Sequence, residues 1–163
     1  MKYILLVLIL LQMCSFAFAD AMPDFRLPDM AGKNVNLSDL LGKGPILVDF
    51  WADYCKPCKD AMPHLNTLAE KYDSLTVVMI SIDAPKNQGK AKTYLKGKGY
   101  KFLNLFDSEK TLAKKLNVSN PPHTFILNPL GEVVYSHVGY EPGVEVLYEH
   151  HIRILLGLET EAE

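Results

Sequence analysis

Residues 46–63 read ILVDFWADYCKPCKDAMP, and the fold turns on how this stretch divides. Ile46 to Trp51 is a nearly continuous β-type apolar run, which suits a strand covered on both faces in the middle of an α/β sheet. After Cys55, apolar residues fall at Cys58, Met62, Leu65, Leu68 with Ala69, and Tyr72. Spacings of three and four give one helical face, with Asp60, His64, Thr67 and Lys71 on the opposite, wet one. Pro63 lies inside that helix and is expected to kink it. Cys55 and Cys58 therefore sit where a buried strand ends and a helix begins. Their spacing alone fits a redox couple or half of a zinc ribbon.

Position favours the redox couple. A thiol at a helix N-terminus meets unpaired backbone N–H groups and the positive end of the dipole, both of which favour thiolate. Lys56 and Lys59 add positive charge and Asp53 opposes them. Thiolate is the attacking species in disulfide exchange, so this setting activates Cys55. Pro57 fits the first helical turn, where a missing N–H costs little. Cys58, inside the helix, is expected to be the more buried sulfur, which makes Cys55 the nucleophile and Cys58 the resolving cysteine.

The rest of the chain supplies an α/β frame. Phe25 with Leu27 and Val35 with Leu37 are alternating pairs around the turn-like DMAGK of residues 29–33, and Ser38 is the expected cap of a single helical turn. Leu75 to Ile82 reads as a second buried strand, Lys90 to Lys98 as a weak helix, and Phe102 to Phe106 as a short extended piece. Ser108 is the expected cap of a helix reaching Leu116. Thr124 to Leu127 and Glu132 to Val138 form a hairpin around Asn128 to Gly131. A last helix, from about Gly143 to Leu156, carries Val144, Leu147, Tyr148, Ile152 and Leu155 on one stripe. This order predicts a central mixed β-sheet with helices on both faces and an N-terminal β-hairpin lead-in, spanning residues 20–158. Residues 159–163 form a polar tail expected to fray.

The first 19 residues are set apart from that domain. Lys2, the apolar run from Tyr3 to Leu11 and the Ala17-Phe18-Ala19 exit together describe a secretory signal peptide. Leu11-Gln12-Met13-Cys14 faintly resembles a lipoprotein box, and Tyr3 to Ala19 is a slightly short candidate anchor. All three readings put the domain outside the cytoplasm. Cleavage would remove Cys14 and leave Cys55 and Cys58 as one close pair, which is no disulfide scaffold. A net charge of -2 in 163 residues, with no basic run, points away from nucleic acid.

A metal site needs further ligands, and the candidates are His64, His123, His137, His150 and His151. His64, His150 and His151 read as helix flanks and His137 as a half-exposed strand residue. His123, directly after Pro121-Pro122, is the one placed to approach the cysteines.

In this setting the motif Val48-Asp49-Phe50-Trp51-Ala52-x-x-Cys55-x-Pro57-Cys58-Lys59 resembles the active-site strand and turn of the thioredoxins. The wider frame resembles the TlpA/ResA-like extracytoplasmic thiol-disulfide oxidoreductases through Pro23-Asp24-Phe25, Leu37-Ser38-Asp39-Leu40, Met62-Pro63, Pro122 with Thr124-Phe125, and His137-Val138-Gly139-Tyr140. The resemblance implies a thioredoxin-like fold and a Cys55/Cys58 dithiol-disulfide cycle with no other cofactor. It also implies disulfide-containing extracytoplasmic protein substrates and a membrane electron donor. Pro122 matches the family's cis-proline, which presents substrate backbone. Asp49 matches the buried acid that relays protons, and a carboxyl in an apolar strand has the raised pKa this needs. Trp51, Lys56 and Pro57 complete the motif around the cysteines. Met79 stands where thioredoxins carry a lysine near that acid, Ala61 where many relatives have Glu, Asn120 where glycine is usual and His123 where threonine is common.

Two further resemblances are weaker. The lead-in is shared with peroxiredoxins, but the residues before Cys55 lack the proline and threonine of their P-x-x-x-T-x-x-C setting. A copper chaperone using two cysteines and a histidine is the non-enzyme alternative, and its wider C-x-x-x-C spacing is absent. The direction of transfer rests on the dipeptide between the cysteines. Pro57 before Cys58 is the reducing arrangement, whereas Lys56 favours thiolate and so an oxidant, or disulfide donor.

Overall fold

The computed structural model describes residues 21–160, so the signal-peptide reading of residues 1–19 lies outside them. A hairpin of β1 (Arg26–Pro28) and β2 (Asn34–Asn36) opens the fold. Its turn is tied by Asp29, whose Oδ1 accepts from the N–H groups of Ala31 at 2.8 Å and Lys33 at 2.9 Å. The single turn that follows, Leu37–Asp39, starts one residue earlier than Ser38 could cap it. Asn36 holds the cap position, and the Asp39 carboxylate accepts from the Asn36 backbone N–H at 2.9 Å. The acid three residues on satisfies the cap residue's own N–H, as the acid of a capping box does.

The main sheet has the order β5-β4-β3-β6-β7. Here β3 is Ile46–Trp51, β4 Thr76–Ser81, β5 Leu103–Phe106, β6 His123–Leu127 and β7 Val133–Val138. β3 pairs in parallel with β4 and β4 with β5, while β6 and β7 run antiparallel. All six residues of β3 are buried, Asp49 included, as a central strand covered on both faces requires. The β6–β7 turn depends on Gly131, at φ +87, where an added Cβ would come within 3.1 Å of Leu41.

Four helices follow the strands: α1 (Lys56–Lys71), α2 (Gln88–Lys96), α3 (Thr111–Lys115) and α4 (Val144–Leu155). On α1 the buried residues are Cys58, Ala61, Met62, Leu65 and Leu68, which is the predicted stripe with Ala61 added and Ala69 only half-buried. Burying each large apolar side chain contributes about 1.5–3 kcal/mol, enough to fix α1 against the sheet despite Pro63. Tyr94 of α2 lies 6.1 Å from the Trp51 ring and under the Lys59 Nζ of α1, so α1 and α2 cover one face. Alternation along β3 puts Leu47, Asp49 and Trp51 on that face. α4 joins them through Lys71 Nζ–Glu149 Oε1, at 2.5 Å.

Three other local expectations change. Ser108 does not cap α3. The buried Asp107 accepts instead from the N–H groups of Thr111 and Ala113, both at 2.8 Å. A carboxylate serves these donors better than a hydroxyl because it adds charge at the positive end of the helix. On α4, Val144, Tyr148 and Ile152 are buried, while Leu147 is 50% exposed on the solvent side. Glu159, read as the start of a frayed tail, pairs with His150 and Arg153, each at 3.1 Å.

Candidate active site

The site begins where β3 stops. Ala52 accepts from the Cys55 N–H at 2.9 Å, closing a turn that delivers Cys55 to the N-cap of α1. The Cys58 N–H in turn lies 3.2 Å from Cys55 Sγ and donates to it. An amide aimed at the sulfur is the contact that stabilises thiolate when the pair is reduced. Here the two cysteines are joined as a disulfide. Cys55 keeps 6% of its surface and Cys58 none, which is the asymmetry expected of an attacking and a resolving sulfur.

Loop residues pin the turn from the side. Asp83 Oδ2 accepts from the Asp53 N–H at 2.8 Å and from Ser81 Oγ at 3.0 Å. Lys59 Nζ reaches Asp53 Oδ1 at 2.9 Å and stands 4.6 Å over the Tyr94 ring. Lys56, 84% exposed, turns to Asp60 Oδ2 at 2.5 Å. Both lysines next to the cysteines are thus paired with carboxylates, and the helix N-terminus is left as the main field on Cys55. Tyr54, 69% exposed, and the exposed Pro57 flank the disulfide on the open side.

Opposite, the Pro121–Pro122 peptide bond is cis. Pro121 O lies 3.5 Å from Cys55 Sγ, and Pro122 O accepts from the Gly139 N–H at 2.8 Å. The cis-proline loop and the cysteine turn are therefore in direct contact.

Beneath them lies Asp49, 1% exposed. Thr124 Oγ1 donates to its Oδ1 at 2.7 Å, and Oδ2 has no partner. Burial pushes its carboxyl up to about 7, with the Thr124 hydrogen bond opposing. Met79 is its register neighbour on β4, so no cation stands on that side. Trp51 is fully buried between the sheet and Tyr94.

His123 is directed elsewhere. Its Nε2 lies 3.0 Å from Ser136 Oγ, and its ring stacks on Phe125 with centroids 4.3 Å apart, on the face opposite Asp49. Among the described residues no group of three His, Cys, Asp or Glu is arranged to hold a metal ion. Asp83, which acts on the turn across thirty residues, carries no signal in the local sequence pattern, and by spacing alone Thr124 and Tyr148 are indistinguishable from frame and core.

The chain matches the AhpC/TSA family over residues 18–136. Thiol-disulfide oxidoreductase ResA of Bacillus anthracis is 33% identical over 117 residues, covering 72% of this chain and 67% of that one. The chain is a ResA-like thiol-disulfide oxidoreductase of the AhpC/TSA family. ResA of Bacillus subtilis (strain 168) agrees at 32% identity, over 69% of this chain and 62% of its own. Among solved structures, a candidate thiol:disulfide interchange protein DsbE from Chlorobium tepidum superposes with a TM-score of 0.79 at 32% identity. It covers 88% of this chain and all of its own. In this ResA-like frame the Cys55–Cys58 pair is the only group at the strand-to-helix turn with disulfide-exchange chemistry. The thioredoxin-like fold expected from the motif is the one observed.

Proposed function

We propose that this oxidoreductase works as a reductant of disulfides in proteins outside the cytoplasm. The observation that carries the direction is the pairing of Lys56 with Asp60. Within the dipeptide between the cysteines it is Lys56 that favours an oxidant, and an exposed, paired ammonium contributes little to a neighbouring thiolate. What remains is Pro57 before Cys58, in the reducing order. The signal-peptide character of residues 1–19 supports the location, and a membrane electron donor follows from the resemblance to TlpA/ResA-like proteins. Among the described residues no helix is long and apolar enough to cross a membrane.

In the proposed cycle the Cys55 thiolate attacks a target disulfide and forms a mixed disulfide, releasing one target sulfur as thiolate. Pro122, in the loop whose Pro121 carbonyl meets Cys55 Sγ, lines the edge on which the target backbone lies. Asp49 takes the Cys58 proton, and Cys58 attacks Cys55 Sγ, so the Cys55–target bond breaks as the Cys55–Cys58 bond forms. The donor then returns two electrons and two protons to the pair. Equilibrium titration against glutathione or dithiothreitol, read by Trp51 fluorescence, tests the direction. A potential near about -250 mV, in the thioredoxin range, is expected, and a value near about -120 mV, that of a strong oxidant, would reverse the assignment.

A further inference from the structure

A buried base is useful only if its proton can leave. The strand registers place Asn104, Met79, Asp49, Thr124 and His137 side by side across β5, β4, β3, β6 and β7. The two directions out from Asp49 differ. Toward β5 the neighbour is the fully buried, apolar Met79, which carries no proton. Toward β7 the neighbours are Thr124, hydrogen-bonded to Asp49, and then His137, half-buried at the sheet edge. Directly opposed antiparallel residues have Cβ atoms about 4.5–5.5 Å apart, so Thr124 and His137 are adjacent.

Tyr148 of α4 covers this gap. Its ring meets the His137 ring edge-on at 6.1 Å. Its hydroxyl is buried without a partner and lies where Thr124 and Asp49 both act on it. An unpartnered buried hydroxyl costs about 1–3 kcal/mol, and Asp49 Oδ2 is likewise without a partner, so both polar atoms call for a role. The buried residues that α1 contributes, Cys58, Ala61, Met62, Leu65 and Leu68, include no titratable group other than Cys58. Near His137 stand Tyr135 and, from the other face, His123.

We propose that Thr124, Tyr148 and His137 form the path by which Asp49 exchanges its proton with solvent, so that these three are positioning residues for the resolving step. This rests on the reading of Asp49 as the base for Cys58. Up to about pH 7 Asp49 starts the turnover protonated, so before Cys58 can close the disulfide Asp49 donates its proton to Thr124. Each hydroxyl accepts one proton and gives up its own, with Tyr148 bridging, and His137 releases one proton to water. The carboxylate is regenerated and no electrons move.

The test is single-turnover oxidation of the reduced full chain by a disulfide-bonded model peptide, followed by Trp51 fluorescence at low buffer concentration. His137→Gln and Tyr148→Phe are expected to slow closure by roughly tenfold each, less than the about 10²–10⁴ of a full general base. Combining them adds nothing further, because both lie on one path. Imidazole buffer restores the His137→Gln rate, and the reduction potentials stay at the wild-type value, which a structural defect would not produce. His137 is half-exposed and its variant folds even if the Tyr148 variant does not. If Asp49→Asn slows closure while His137→Gln keeps the wild-type rate, the path is wrong and the base stands. If Asp49→Asn closes at the wild-type rate, the base reading fails and the path with it.

Discussion

At pH 8 the oxidised Asp49→Asn variant is expected to be more stable than the wild type by about 2–4 kcal/mol, a rise in melting temperature on the order of 10 °C. The sign follows from the raised carboxyl. In the unfolded chain Asp49 ionises near 3.8, and in the fold burial holds it protonated up to about 7. Between these values the folded protein binds one more proton than the unfolded chain, so stability falls with rising pH. The slope is about 1.4 kcal/mol per pH unit, and the loss is complete once the folded group has ionised. Asparagine cannot ionise, keeps the Thr124 contact through its carbonyl, and retains only the cost of a buried amide. At pH 5 the folded carboxyl is still protonated but the unfolded one has ionised, so only about 1.6 kcal/mol of that loss has accumulated and the difference shrinks by more than half. Thermal or urea unfolding at the two pH values checks this. Equal stabilities at pH 8 would mean that Asp49 is not a buried acid held near neutrality.

Cys55→Ser is expected to remove disulfide exchange, by about 10³-fold or more, as loss of a covalent nucleophile does. Cys58 cannot substitute. It is fully buried in the first turn of α1, and its own N–H is the amide that points at Cys55 Sγ rather than at its own sulfur. Turnover of a disulfide-bonded protein substrate in the presence of a chemical reductant measures the loss. A variant that keeps a tenth of the wild-type rate would show that Cys58 attacks on its own. The fold survives the change, because a bridge closing so short a loop stabilises little by chain entropy.

The parts of this site that were legible in the sequence are those fixed by local pattern. ILVDFW announces a doubly covered strand, the following three-four spacing a helix, and their junction puts Cys55 at an N-cap. Asp49 stands out because a lone acid in an apolar strand has nowhere wet to go. Long-range pairing was not legible. Asp83 is fixed to the Asp53 turn only through the parallel register of β3 and β4, and Asp107 displaced Ser108 because the chain reverses there. The row from Asp49 through Thr124 to His137 appears only once β6 and β7 are placed in antiparallel register. Leu147, assigned to the buried stripe by spacing, faces outward because α4 buries a narrower face than its apolar content suggests.

Trapping with Cys58→Ser tests the dithiol-disulfide cycle most directly. The reduced variant, mixed with a disulfide-bonded peptide and analysed by mass spectrometry and peptide mapping, is predicted to accumulate one mixed disulfide per chain, on Cys55, released by dithiothreitol. Cys55→Ser is predicted to form none at Cys58. No adduct on Cys55, or equal adducts in the two variants, would contradict the assignment of Cys55 as the attacking sulfur and Cys58 as the one that resolves it.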